Sequence, residues 1–130
     1  MKTLNLQAIT MASARIFLSA IFILSGFSKL GAIEPTQVYM QAMGMPSILL
    51  WPTIVLEIGA GFLVILGFQT RISAFLLAGF SLITAVVFHN DFTSQVNMIM
   101  FLKNISMTGG FLLLAAVGPG LFSIDKRKTI

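Results

Sequence analysis

The sequence predicts an all-α membrane protein, a single-domain bundle of four spanning helices with both termini in the cytoplasm. Of its 130 residues, 57% are hydrophobic and 9% are charged, and the mean hydropathy is +0.97. A soluble domain carries about 25% charged residues. Too little polar surface remains to face water, whereas the core of a bilayer requires none. The chain is therefore expected to lie in a membrane, with one domain covering residues 1–130.

Four apolar segments have the length that a spanning helix needs, which is about 20 residues for about 30 Å of hydrocarbon. They cover approximately residues 11–30, 47–67, 72–89 and 98–118. Backbone groups in lipid must be satisfied within each segment, and the segments do not alternate as barrel strands do. The first segment lacks a small-x-small cleavage site, so we expect it to be retained rather than removed as a signal peptide. The connections contain the glycine, proline and polar residues of turns.

Lysine and arginine residues predict the orientation of the bundle. Four helices place both termini and the loop between the second and third helices on one side. That side would hold Lys2, Arg15, Arg71, Lys126, Arg127 and Lys128, and the other side only Lys29 and Lys103. The excess of basic residues predicts that the first side is cytoplasmic. The net charge of +4 is thus a topology signal that suits anionic lipid, and no nucleic-acid partner is predicted.

Glu57 is the one ionisable residue in the stretch "TIVLEIGAGFLVILG". It lies ten residues after Ser47, which places it roughly 15 Å into the second helix, near the middle of the bilayer. A carboxylate that faces lipid at this depth costs at least about 2.5–3.5 kcal/mol. Glu57 is therefore expected to face the interior of the bundle.

Helical spacing indicates where that interior lies. In the first helix, steps of three and four residues align a mostly polar or small stripe: Arg15, Ser19, Phe22, Gly26 and Lys29. Glu57 is predicted to point toward Lys103 of the fourth helix or toward this stripe. The helices would then surround a polar pocket that opens on the outer side, with His89 and Asp91 at its mouth.

Two interpretations of this constellation remain open. A buried Glu57–Lys103 pair could simply fix the register of the helices, since pairing is the usual state of charge inside a membrane. Alternatively, the same groups form a site. That candidate site has Glu57 as a proton relay and, as ligand-binding residues, Lys103, Asn104, His89, Lys29 and Arg15. No metal site is predicted.

Several chemistries are excluded by the residues that the chain lacks. Without cysteine it has no disulfide, thiol redox chemistry or iron–sulfur ligation. One histidine cannot supply two axial haem ligands, and no glycine-rich phosphate loop is present. The chain holds no complete catalytic set, so any redox role requires a bound cofactor or a partner. It would act at most as an accessory subunit of an oxidoreductase.

Several motifs resemble those of the DoxX family. The first helix, "ARIFLSAIFILSGFSKL", is similar to the opening of that family, and "LEIGAGFLVILGFQTR" to its second-helix signature. "FHNDF", "FLKNISMTGGFLLLA" and "GPGLFSID" resemble the bacterial inner-membrane branch. The motifs fall in order over about residues 14–125.

The resemblance implies a four-helix protein of the bacterial inner membrane. Founding archaeal members are linked to a thiosulfate:quinone oxidoreductase or a terminal quinol oxidase, and other relatives to quinone or oxidative stress. More distant relatives act in protein trafficking or receptor assembly.

Two functional hypotheses follow. In the first, the protein is a quinone- or quinol-interacting redox accessory with a membrane or soluble redox partner and no covalent cofactor. Lys103, Asn104 or His89 would donate hydrogen bonds to a ring carbonyl, and Glu57 would relay the proton. In the second, the protein is a non-catalytic scaffold or assembly factor with a structural Glu57–Lys103 pair. Small residues such as Ala74 and Ala78 would permit a homodimer.

Overall fold

The computed structural model describes residues 2–128, and this range is helical with short connections. In chain order the helices are α1 (Lys2–Leu30), α2 (Ile33–Ala42), α3 (Leu50–Leu66), α4 (Thr70–Phe88), α5 (Gln95–Val117) and α6 (Ile124–Lys128). A short 3₁₀ turn, Ser47–Leu49, leads into α3. Within the described residues, four helices are long and apolar enough to cross a membrane: α1, α3, α4 and α5. The all-α fold with four spanning helices is thereby confirmed.

The helix bounds differ most from the prediction at α1, which begins at Lys2 rather than near Met11. The residues before Met11 contain no proline or glycine, so nothing stops the helix there. Its 29 residues extend over about 44 Å, more than the roughly 30 Å of hydrocarbon. The first turns of α1 therefore extend beyond the apolar layer or the helix tilts.

The helix α2 lies within the connection predicted between the first two spanning helices, and the prediction of a non-helical connection there was wrong. Pro35, a residue typical of turns, is the third residue of α2. Proline is tolerated in the first turn of a helix, where its missing N–H has no intrahelical acceptor. The next breaker is Gly44, with φ +80°, so ten residues are free to form a helix.

The spanning helices pack as two pairs, α1 on α3 and α4 on α5, and α3 joins the pairs through α4. Small residues bring the backbones together: a Cβ placed on Gly61 of α3 would lie 2.7 Å from Ile23 of α1. Ala74 and Ala78 of α4 are buried inside this packing. These two residues were expected to be exposed and so to permit a homodimer; the expected exposure was wrong, because the bundle itself uses them.

At one end of the bundle, called here the terminal end, lie the α3–α4 turn and the segment leading from α5 into α6. Arg15, buried in α1, donates hydrogen bonds to the carbonyls of Val64 (3.3 Å), Ile65 (3.2 Å) and Phe122. The last carbonyls of a helix lack intrahelical donors. Arg15 therefore satisfies the end of α3 and ties it to the segment before α6.

Asp125 forms a second tie at the terminal end. Its carboxylate accepts hydrogen bonds from the N–H groups of Gln69 (2.8 Å) and Thr70 (2.9 Å) and from the Thr70 hydroxyl (2.8 Å). These are the orphan donors at the start of α4, which a carboxylate satisfies well. In the same region Arg71 donates to the carbonyl of Ala116 at 2.7 Å, near the end of α5. The terminal end is thus closed by side chains that cap helices.

Candidate functional site: a cavity between the helix pairs

A cavity of about 420 Å³ lies at the opposite end of the bundle, called here the cavity end. Residues from α1, α2, α3, α4 and α5 line it, and most of its wall is apolar. The apolar lining residues include Ile21, Phe22, Leu56, Phe80, Phe88 and Met107. Ligand pockets are usually roughly 300–1,000 Å³ and mainly apolar, with a few polar groups. The size and lining of this cavity fit that description.

Aromatic residues close the side of the cavity that faces the middle of the bundle, and α2 covers the opposite side. The Phe22 ring packs edge-to-face on Phe80 (6.2 Å between centroids) and on Phe111 (5.4 Å). On the other side, Tyr39 of α2 stacks on Phe88 of α4, with centroids 5.5 Å apart and planes 21° apart. The cavity therefore lies between this cluster of phenylalanine rings and the short helix α2, which contacts both α3 and α4.

Glu57 faces the interior as predicted, since it is 2% exposed and lines the cavity. Its partner is Lys29 of α1, whose Nζ donates to Glu57 Oε1 at 2.7 Å and to Ser25 Oγ at 2.7 Å. Glu57 Oε2 accepts no hydrogen bond from any group that the structure describes. One carboxylate oxygen is therefore held by Lys29, and the other remains available at the cavity wall.

The predicted Glu57–Lys103 pair was wrong, whereas the alternative, the polar stripe of the first helix, is correct. Gly26 explains the choice of partner. A Cβ on Gly26 would lie 2.5 Å from Ile58 and 3.4 Å from the Cβ of Glu57, so α1 approaches α3 closely at this level. Lys29 follows one turn later on the same face and reaches Glu57.

Lys103 also lines the cavity, from α5. Its Nζ contacts Met100 Sδ at 3.3 Å, a weak acceptor, and the side chains that the structure describes give it no carboxylate partner. The adjacent Asn104 is buried and donates weakly to Thr84 Oγ1 at 3.5 Å. Together, Lys103 and Asn104 place free or weakly used N–H donors on one wall.

His89 lies at the end of α4 and lines the cavity, with Nδ1 3.4 Å from Asn97 Oδ1. Asp91 does not line it, although it was expected at the mouth. It is exposed in the α4–α5 loop and accepts hydrogen bonds from Thr93. These bonds, from the hydroxyl first and the backbone N–H second, lower the pKa of the Asp91 carboxyl. Asp91 therefore organises the loop and takes no part in the cavity.

Arg15 does not line the cavity either, because it lies at the terminal end with its guanidinium on backbone carbonyls. Its assignment as a ligand-binding residue is therefore not retained. Three further residues that line the cavity were not predicted from the sequence: Ser25, Tyr39 and Thr84. Ser25 had a detectable signal, since it precedes Lys29 by one helical turn. Tyr39 had no such signal, because it lies in the segment that was predicted to be a connection without a helix.

The cavity offers donors on two walls, Lys29 on α1 and Lys103 with Asn104 on α5, and a carboxylate on α3. Such an arrangement can bind a carbonyl or hydroxyl group and exchange a proton with it. Among residues 2–128, no group of three or more His, Cys, Asp or Glu side chains is placed to hold a metal ion.

Comparison with known proteins places the sequence in a family. The DoxX family model matches residues 10–90. Inner membrane protein YqjF of Escherichia coli (strain K12) is 46% identical over 122 residues, covering 94% of each chain. Inner membrane protein YphA of the same strain is 43% identical over 121 residues, covering 88% of this chain and 86% of the relative. No solved structure matches.

Proposed function

Because this chain belongs to the DoxX family and is a multi-pass inner-membrane protein, we propose that its cavity binds a quinone or quinol and that it serves as a redox accessory. The observation that carries the proposal is an apolar cavity within the membrane-spanning helices whose few polar groups include Lys103, Asn104 and Glu57. A quinone needs the same combination, because its ring and tail are apolar and its oxygens are polar.

The exposed cavity residues support entry from the bilayer. Ile21 of α1 and Ile83 of α4 line the cavity and are 39% and 58% exposed. Both lie in spanning helices, so this exposed surface faces hydrocarbon. A ligand dissolved in lipid could therefore reach the cavity sideways, without crossing the polar layer.

The side chains suggest how such a ligand would be held. Lys103 and Asn104 would donate hydrogen bonds to one ring oxygen, and Glu57 Oε2 would accept a hydroxyl proton. Lys29 would stabilise the carboxylate form of Glu57, and His89, near the end of α4, would exchange protons with solvent. A bound quinone would supply two-electron redox chemistry, for which the electrons must come from a partner.

Trp51, the one tryptophan in the chain, provides a binding assay because it immediately precedes Pro52, which lines the cavity. In nanodiscs, a short-chain quinone is expected to quench its fluorescence saturably. Lys103→Met should weaken binding about tenfold or more, because a hydrogen bond to a charged group contributes about 1.5–3 kcal/mol.

Leu102→Met is the matched control for this assay, since Leu102 is 55% exposed on the outer face of α5. This variant should bind as the parent does. Quenching that is saturable but equal in the parent, Lys103→Met and Asn104→Leu would contradict the proposed site.

A scaffold function is the second candidate, and the Lys29–Glu57 pair favours it. An ion pair of 2.7 Å between α1 and α3 is a sufficient reason for a carboxylate at this depth. If the purified protein neither binds nor co-purifies with any quinone, this function becomes the better account, and membrane partners become the question.

We further propose that both termini face the cytoplasm, which puts the cavity end on the outer side. A green fluorescent protein fused after Ile130 should be fluorescent, whereas alkaline phosphatase at the same point should be inactive. Phosphatase fused at Gly44, in the α2–α3 connection, should be active because it is exported. The reverse pattern would contradict the orientation given by the basic residues.

A further inference from the structure

The charges around the cavity point to a more specific ligand class. We infer that the cavity binds an amphiphile whose headgroup carries a single negative charge, with Lys103 as its counter-ion. The inference rests on the proposed function in that it uses the same cavity, and it specifies the charge state of the ligand.

The titratable side chains that line the cavity come from all five of its helices. They are Lys29 of α1, Tyr39 of α2, Glu57 of α3, His89 at the end of α4 and Lys103 of α5. Lys29 and Glu57 neutralise each other across 2.7 Å. Tyrosine and histidine are formally neutral at pH 7. The positive charge of Lys103 is therefore left over, and the lining has a formal charge of +1.

No Asp or Glu side chain within residues 2–128 is placed to compensate Lys103. The sequence has four acidic residues, and Glu57 is already paired. Glu34 is exposed on α2 and does not line the cavity. Asp91 is bound to Thr93 in the loop, and Asp125 caps α4 at the terminal end. Any counter-ion for the partly buried Lys103 therefore comes from outside these four side chains.

An anionic headgroup satisfies this requirement better than a neutral one. An unpaired charge in a low-dielectric setting is costly, and a partner of opposite sign offsets that cost. A neutral carbonyl offers Lys103 only a dipole, whereas an anionic oxygen forms a charge-assisted hydrogen bond, which is roughly twice as strong. Lys103 has this capacity because, among the residues that the structure describes, its Nζ donates only to the weak acceptor Met100 Sδ.

The apolar walls and the opening toward lipid indicate that the rest of the ligand is apolar. A ligand with a single anionic oxygen beside Lys103 and a hydrocarbon tail toward Ile21 or Ile83 fits the walls and the opening. Two sources share this chemistry, the ionised hydroxyl of a hydroxyquinone and the carboxylate of a long-chain acid. They differ in the ring, which the experiment can test separately.

The test uses a matched pair of probes on the full chain in nanodiscs of zwitterionic phosphatidylcholine. The first probe is a 3-alkyl-2-hydroxy-1,4-naphthoquinone, which is ionised at pH 7, and the second is its 2-methoxy ether, which is neutral. The parent protein is expected to bind the hydroxy probe at least about tenfold more tightly. Lys103→Met and Lys103→Gln should lose this preference, while Lys103→Arg and the control Leu102→Met should keep it.

Equal affinity of the parent for the two probes would overturn the inference, as would a preference that survives in both Lys103→Met and Lys103→Gln. A third probe, a long-chain carboxylate, separates this inference from the proposed function. If the carboxylate binds with the same dependence on Lys103 and no quinone binds, the anion site stands and the quinone function fails. If the neutral methoxy probe binds in the cavity as tightly as the ionised hydroxy probe, the proposed function stands and the anion site fails.

Discussion

Replacing Lys29 with methionine is expected to lower the free energy of unfolding by about 3 kcal/mol. The substitution leaves Glu57, which is 2% exposed, without its counter-ion. Removing one partner of a buried ion pair costs about 3–5 kcal/mol, and the partial exposure of Lys29 places this pair near the lower limit. Replacing the other partner, as in Glu57→Gln, should lower the free energy of unfolding by less, because the long Lys29 side chain can turn toward the membrane interface.

Unfolding in mixed micelles, titrated with dodecyl sulfate and followed by circular dichroism, would measure both changes. The double variant Lys29→Met with Glu57→Gln should recover most of the loss, since replacing a buried pair by neutral groups is often nearly neutral. Lys103→Met serves as the control and should not lower the free energy of unfolding, because it breaks no ion pair and removes a charge that has no counter-ion among the described side chains. A larger loss of stability in Lys103→Met than in Lys29→Met would show that the pairing described here is wrong.

Replacing Arg15 with methionine is the second change with a large expected effect, again about 3 kcal/mol. Arg15 is buried, and its guanidinium serves the carbonyls of Val64, Ile65 and Phe122. A buried acceptor left without its donor costs about 1–3 kcal/mol. Arg15→Lys should recover less than half of the loss, because an ammonium cannot match the planar fork that reaches several carbonyls.

The same unfolding titration would measure the Arg15 variants. Phe17→Leu is the control, since Phe17 is 78% exposed two residues further along α1 and should have little effect. Quinone binding per folded molecule should not change in Arg15→Met, because Arg15 does not line the cavity. A folded Arg15→Met protein of parental stability would contradict the capping role.

The fold could be predicted from the sequence because each spanning helix is specified by its own length and hydropathy. The interior face of α1 could also be predicted from local sequence, since helical spacing alone aligns Arg15, Ser19, Phe22 and Gly26. All four are buried in the structure. The burial of Glu57 followed from the cost of placing a carboxylate in lipid. These inferences needed no knowledge of which helices are neighbours.

The pairing of Glu57 could not be predicted in the same way, because it depends on the relative height of two helices. Spacing within α1 and α5 left Lys29 and Lys103 as competing partners, and the close approach at Gly26 decides between them. The contacts of Asp125 with Gln69 and Thr70 span more than 50 residues of sequence and leave no local pattern. The helix α2 was not predicted for a different reason. Proline breaks a helix in its interior, but Pro35 lies in the first turn of α2, where it is tolerated.

Photoaffinity labelling with an azido-quinone in membranes, followed by mass spectrometry of the peptides, tests the central claim most directly. The account predicts labelling of cavity residues on α2 and α5, such as Met40 and Met107, which an excess of unmodified quinone suppresses and Lys103→Met reduces. Labelling confined to lipid-facing positions such as Val55 and Leu113, or labelling that unmodified quinone does not suppress, would contradict it.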